Sequence, residues 1–217
     1  MTKKKFELLP NEFIKKGDKI FYRIKALKSF GDVNVGDIGG YVENEYNLSH
    51  SGNCWIYDNA KVSGAAYVQD NAKVCGSADV FGNAKINHYA IVAGKAMVFD
   101  YAVITDYAIV TDKAKVCDAS RVSDDSRIHG DVVLMGAQTF KNADVSSIFD
   151  YMVIDNVGER LNTITFYRTK DGSIGYGCGG NSGTLEELKE QYKDTEFAEE
   201  YECMIKLAEA RFKRMKK

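Results

Sequence analysis

Aliphatic residues recur at every sixth position from Ile56: Val62, Val68, Val74, Val80, Ile86, Val92, Val98, Ile104, Val110, Val116, Val122, Ile128 and Leu134 follow without a miss. Four places after each stands a small residue, alanine from Ala60 to Ala114, then Ser120 and Ser126, with Val132 the first larger one. Two places after each stands Gly or Asp, as at Asp58, Gly64, Asp70, Gly76 and Gly82, and only His88 departs from this. A period of six suits neither a helical face, which returns about every 3.6 residues, nor a meander of hairpins. It suits a coil with flat sides. Within each hexad the small and aliphatic residues share one side of a short strand and point inward, because strand side chains alternate. The Gly or Asp, with its neighbour, turns the corner, since these types tolerate left-handed backbone. Three hexads close a triangular turn of eighteen residues, and turns stack as parallel ladders about 4.8 Å apart.

Grouping the hexads by threes assigns the outward side chains. Face one carries Lys73, Cys75, Ile91, Ala93, Ile109, Thr111, Arg127 and His129; face two carries Lys61, Asp79, Phe81, Met97, Phe99, Lys115, Cys117, Val133 and Met135. Face three, with Tyr67, Gln69, Lys85, Asn87, Val103, Thr105, Arg121 and Ser123, is the most polar. Faces one and two have apolar centres, which a solvated monomer does not need. Two coverings are expected, the chain's own C-terminal segment and a second copy, with Ile91, Ile109, Phe81, Met97 and Phe99 at the subunit interface.

The ends differ in kind. Lys19 to Leu27 alternates apolar and polar residues and predicts a strand capping the first coil. After Gly136 the hexads fail, though Ala143-Asp144-Val145 and Tyr151 to Ile154 suggest one more imperfect coil. Thr163 to Tyr176 predicts a β-hairpin around Asp171-Gly172. Gly177 to Gly183 is glycine-rich and runs into Thr184-Leu185-Glu186-Glu187, whose capping-box spacing starts a helix. This loop reads as a plain tight connection rather than a phosphate cradle, since the lysine pattern of a phosphate loop is absent. A second helix from near Thr195 presents Phe197, Tyr201, Met204, Ile205, Ala208 and Phe212 on one stripe, expected to lie on an apolar face of the coils. The organisation read is 1–45 strand and cap, 46–158 coils, and 159–217 hairpin plus two helices.

Composition narrows the picture. One proline, Pro10, against 19 glycines agrees with stacked strands that cannot lose a ladder donor. Five cysteines with no C-x-x-C pair support neither a disulfide framework nor a zinc ribbon. The net charge is −2, with a basic start, an acidic run from Glu186 to Glu202 and a basic end from Arg211 to Lys217. No apolar run reaches the roughly 20 residues of a membrane span, and residues 1–6 lack a signal peptide's apolar stretch. An intracellular, cytoplasmic protein is expected.

The repeat resembles the hexapeptide-repeat superfamily. That resemblance implies a mainly β fold, a left-handed parallel β-helix built as a triangular solenoid of 18 residues per coil, here with a small C-terminal α+β annex, and a homo-oligomer, trimer or dimer. The usual hexad places Gly directly after the aliphatic residue; here it comes one place later, as in Val80-Phe81-Gly82-Asn83-Ala84-Lys85. This variant, with Gly36 to Val42 and Asn47 to Trp55 upstream, is similar to repeat proteins common in phage and prophage genomes.

Two functions follow from the resemblance. The first is a non-enzymatic interaction protein that binds a host protein or complex, such as an inhibitor of a bacterial defence system of the anti-CRISPR kind, through corner tyrosines Tyr89, Tyr101 and Tyr107 and the acidic helices with Glu186, Glu190 and Glu199. It needs no cofactor. The second is an acyltransferase with a coenzyme A donor and a histidine general base, His88 or His129, in a cleft between subunits. His88 replaces a corner residue, His129 lies at the rim of face one, and His50 belongs to the first coil. Against this reading, no loop interrupts Ile56 to Gly136. A metal site is not expected, because the histidines are too far apart in sequence to pair as zinc ligands. Nucleic acid is not expected as a direct ligand: Asp100, Asp106, Asp112, Asp118 and Asp124 fall on different corners with lysines and arginines between them.

Overall fold

The computed structural model describes residues 4–213; Lys3 in the basic start and residues 214–217 in the basic end lie outside them. The hexads form short strands stacked in three parallel sheets, one per face, with partners eighteen residues apart: Ile91 pairs with Lys73 and Ile109, Met97 with Asp79 and Lys115, Val103 with Lys85 and Arg121. Face one contributes a sheet of six strands, hence six turns. The alanine and aliphatic positions from Ala60 to Ala114 are all fully buried. Each corner is a tight turn, closed for example by Ala60 N–H donating to Tyr57 O at 3.1 Å.

Corner aspartates do more than turn the chain. All sit at positive φ, as Asp58 (53°), Asp112 (59°) and Asp118 (63°) do. Several of their carboxylates also accept from the N–H of the corner residue one coil on: Asp58 from Gly76 at 2.8 Å, Asp112 from Gly130 at 3.0 Å, Asp100 from Asp118 at 3.2 Å. These acidic corners therefore bind the backbone of the stack.

The first coil is capped as the alternation predicts, by a strand Lys19–Ala26, but a second strand, Phe6–Lys16, pairs with it in a hairpin. Pro10 lies in that strand, at the edge of the face-two sheet and inside the irregularity between Leu9 and Phe13, where no ladder donor is lost. Phe6, Phe30 and Trp55 close the open end of the core. The hairpin's turn folds over part of face two: Lys16 Nζ reaches Asp79 at 2.7 Å, and Phe21, Phe81 and Met97 line the space beneath.

At the other end Asp144–Val145 extends face one, whereas Tyr151–Val157 is not a coil. It is the first strand of an antiparallel sheet continued by Asn162–Arg168, Ile174–Cys178 and Asn181–Thr184. Strand alternation makes both faces of this sheet apolar. Tyr167, Tyr151 and Val153 join the coil core, while Ile164, Phe166, Tyr176 and Cys178 join a separate core with the helices α1 (Leu185–Tyr192) and α2 (Ala198–Lys213). This corrects the expectation that the α2 stripe lies on a coil face. Tyr201, Met204, Ile205, Ala208 and Phe212 cover the outer side of the terminal sheet, so the apolar rows of faces one and two are left to other coverings. The glycine-rich run is likewise a hairpin, turning at Gly179-Gly180. Gly177 lies so close to the last coil that a Cβ there would stand 2.6 Å from Gln138 O. Thr184 caps α1 as its spacing predicts, accepting from Glu187 N–H at 3.2 Å while Glu187 Oε2 accepts from Thr184 N–H at 2.8 Å. No helix among the described residues is long and apolar enough to cross a membrane.

Candidate active site at a coil corner

The three histidines separate by what their ring nitrogens touch. His50 is structural: its Nδ1 accepts from Lys5 N–H at 3.1 Å, its Nε2 meets Glu45 Oε1 at 2.8 Å, and its ring stacks on Phe6 with centroids 4.4 Å apart. His129 has Nε2 3.1 Å from Asp144 Oδ1 and Nδ1 3.9 Å from Asp112 Oδ2. Its ring is tied to Asp144 across the coil and is largely covered.

His88 differs. It holds its corner at φ 52° with its N–H donated to Asp70 Oδ2 at 3.1 Å. Its Nδ1 lies 3.0 Å from Asp106 Oδ1 and 2.9 Å from Thr105 Oγ1. An ionised carboxylate only accepts, so in the neutral ring this contact places the proton on Nδ1 and leaves the lone pair on Nε2. The side chain is 57% exposed, against 24% for His129. Asp106 is the corner residue one coil beyond His88, so the same ladder that stacks the coils brings the two together. The eighteen-residue step joins them in the sequence too, although composition gives no hint of the pair.

The other predicted residues divide among separate surfaces. Tyr89 and Tyr107 stack beside His88 with centroids 5.1 Å apart and planes 6° off parallel. Tyr101 is exposed on a different corner, next to the stacked Phe81 and Phe99 of face two (4.9 Å). Ile91 and Ile109 open face one immediately after the tyrosine corner, whereas Phe81, Met97 and Phe99 lie on face two, so the proposed interface residues occupy two faces. Glu186, Glu190 and Glu199 are exposed on the annex helices, with Glu190 paired to Lys193. Face one is closed at its N-terminal end by Asp32, which accepts from Tyr57 Oη and from Lys73 Nζ, each at 2.7 Å. These two bonds, that from Lys73 first, hold the Asp32 carboxyl below its usual range.

Two clefts, of about 630 and 530 Å³, lie in the annex, the first lined by Arg160, Asn162, Cys178, Asn181 and Tyr192. Among the described residues no cluster of His, Cys, Asp and Glu could hold a metal ion.

No family model matches the chain. Over 48 residues, 22% of its length, it is 38% identical to an Escherichia coli (strain K12) protein described as the uncharacterized acetyltransferase YdcK; that stretch spans 15% of the Escherichia coli protein.

Proposed function

We propose that the chain catalyses acyl transfer from a coenzyme A thioester to a hydroxyl or amine, with His88 as general base. The observation that carries this reading is the His88 and Asp106 contact at an exposed corner: Nδ1 lies 3.0 Å from Asp106 Oδ1, which in the neutral ring leaves Nε2 as the base. A base so held takes the proton of the attacking group as its lone pair closes on the thioester carbonyl, and Asp106 stabilises the imidazolium that forms. Collapse of the tetrahedral adduct expels the thiolate. The stretch of similarity to a protein described as an acetyltransferase supports the same chemistry. Within one chain the corner is open, so a second copy supplies the other wall of the site, and the apolar start of face one at Ile91 and Ile109 is the surface it covers. The test is release of free thiol from acetyl-coenzyme A with a panel of hydroxyl and amine acceptors. His88→Ala is expected to lower the rate at least about 100-fold, and Asp106→Asn to lower it by less. Thiol release that never exceeds the uncatalysed rate, or that His88→Ala leaves unchanged, overturns the assignment.

A second reading, a rigid protein that binds a host protein, is favoured by the exposed tyrosine pair at the same corner. It predicts a stoichiometric complex lost in Tyr89→Ala and Tyr107→Ala but kept in His88→Ala. The finer idea of a defence inhibitor rests on the sequence resemblance alone.

A further inference from the structure

We infer that Lys5 and Cys54 form a site of oxidative cross-linking, in which a single oxygen atom comes to bridge Nζ and Sγ. Both residues are wholly buried at the N-terminal end of the coil core. Lys5 Nζ lies 3.1 Å from Cys54 Sγ and 2.8 Å from Cys54 O, with Ser51 O and Gly52 O at 3.4 and 3.5 Å, and stands 4.9 Å over the Phe30 ring. Among the described residues no carboxylate is within ion-pair distance of it. A buried ammonium without a counter-ion is costly, so burial favours the neutral amine, and nearby Lys28 acts in the same direction against the opposing pull of Cys54. Burial also pushes the Cys54 thiol up and keeps it protonated, among the carbonyls of Ser49, Ser51 and Val68. In the hexad register Cys54 occupies the small interior position that alanine fills in the following coils. The thiol thus adds one reactive atom to an otherwise inert row, opposite the one lysine that is buried among the described residues.

The amine in its neutral form, which burial favours, and a thiol in contact with it are both oxidisable, and dioxygen balances the reaction. The Sγ–H bond, one Nζ–H bond and the O=O bond break; Nζ–O, O–Sγ and the two O–H bonds of one water form. Dioxygen takes up four electrons, two from sulfur and two from nitrogen. Two equivalents of a dithiol return them, restoring amine and thiol and releasing the bridging oxygen as water. The bridge joins residues 49 apart in sequence and fastens the root of the N-terminal hairpin to the first coil.

The test compares the full chain held in air-saturated buffer with the same protein kept anaerobically under dithiothreitol, by intact mass and peptide mapping. The expected product gains one oxygen and loses two hydrogens, joins the peptides containing Lys5 and Cys54, and reverts with dithiothreitol. Its thermal midpoint lies higher than that of the reduced protein by about 5 °C or more. Lys5→Met, which keeps the apolar stem and has no amine, is expected not to form it. The wild-type masses alone decide the matter: an unchanged thiol, oxygen acids on Cys54 with Lys5 free, or a direct nitrogen–sulfur link without oxygen each overturns the proposal.

Discussion

From Ala60 to Ala114 the coil interior contains only alanine, valine and isoleucine, each stacked on its counterpart eighteen residues away and each wholly buried. The annex core is built otherwise: Phe166, Tyr176, Tyr201 and Phe212 interlock with Leu188, Met204 and Ile205 from a sheet and two helices, at spacings that share no period. In the coils stability accumulates from neighbour to neighbour, and each turn needs only the next. In the annex a few large side chains must fit one another at once. The two cores meet on the strand Asn162–Arg168, where Phe166 points into one and Tyr167 into the other.

The strongest way to break this distinction is Phe166→Ala. Emptying that position is expected to cost about 3–5 kcal/mol. In hydrogen exchange the loss of protection should concentrate in α1 and α2 while the coil amides keep theirs. Equal loss throughout would make the two cores a single cooperative unit.

The corners sharpen the coil side of the comparison. Asp112→Ala removes the bond to Gly130 N–H and leaves a left-handed backbone on a residue that resists it, an expected loss of about 1–2 kcal/mol in urea unfolding. Asp112→Gly removes the same bond but suits the backbone, as at Gly94 and Gly130 in the same ladder, and should cost about half as much. Equal losses would assign the corner's preference to the hydrogen bond alone.

The smallest effect concerns the clip between the two regions. Lys170 Nζ reaches Asp125 Oδ2 at 2.8 Å and Asp125 O at 2.7 Å, and Asn142 N–H donates to the other carboxylate oxygen at 2.8 Å. The bond from Lys170, then that from Asn142, holds the Asp125 carboxyl below its usual range. A carboxyl whose pKa is lower folded than unfolded stabilises the fold above the unfolded value, near 4, and ceases to do so as the pH falls through the folded value. The pair is about half exposed, so the contribution is expected to be under about 1 kcal/mol. The thermal midpoint of Asp125→Asn should fall below wild type at pH 6, and the gap should narrow as the pH falls below about 4; a gap that does not narrow on acidification would show that the clip is not ionic.

How much could be read in advance follows the same division. The hexads announced the coils, their three faces and the ladder partners, because a residue's neighbours in a stack are those eighteen places away. The His88 and Asp106 pair was legible by that rule, since both are corner residues of one ladder. The strand Phe6–Lys16 was not: Pro10 and the irregularity after Leu9 interrupt its alternation, and pairing at a sheet edge is what makes both tolerable. The destination of the α2 stripe was hidden too, because an apolar stripe states that a helix is covered but not by what.

By itself the sequence determined the period, the inward residues, the corners and the cap of α1, all of which depend on residues at short or repeating separations. Only the tertiary structure decided that the terminal sheet stands between two cores, that His88 is the most exposed of the three histidines, and that Lys5 ends against Cys54. These contacts join segments with no common period, and their partners are chosen by which surfaces remain to be covered once the coils have stacked.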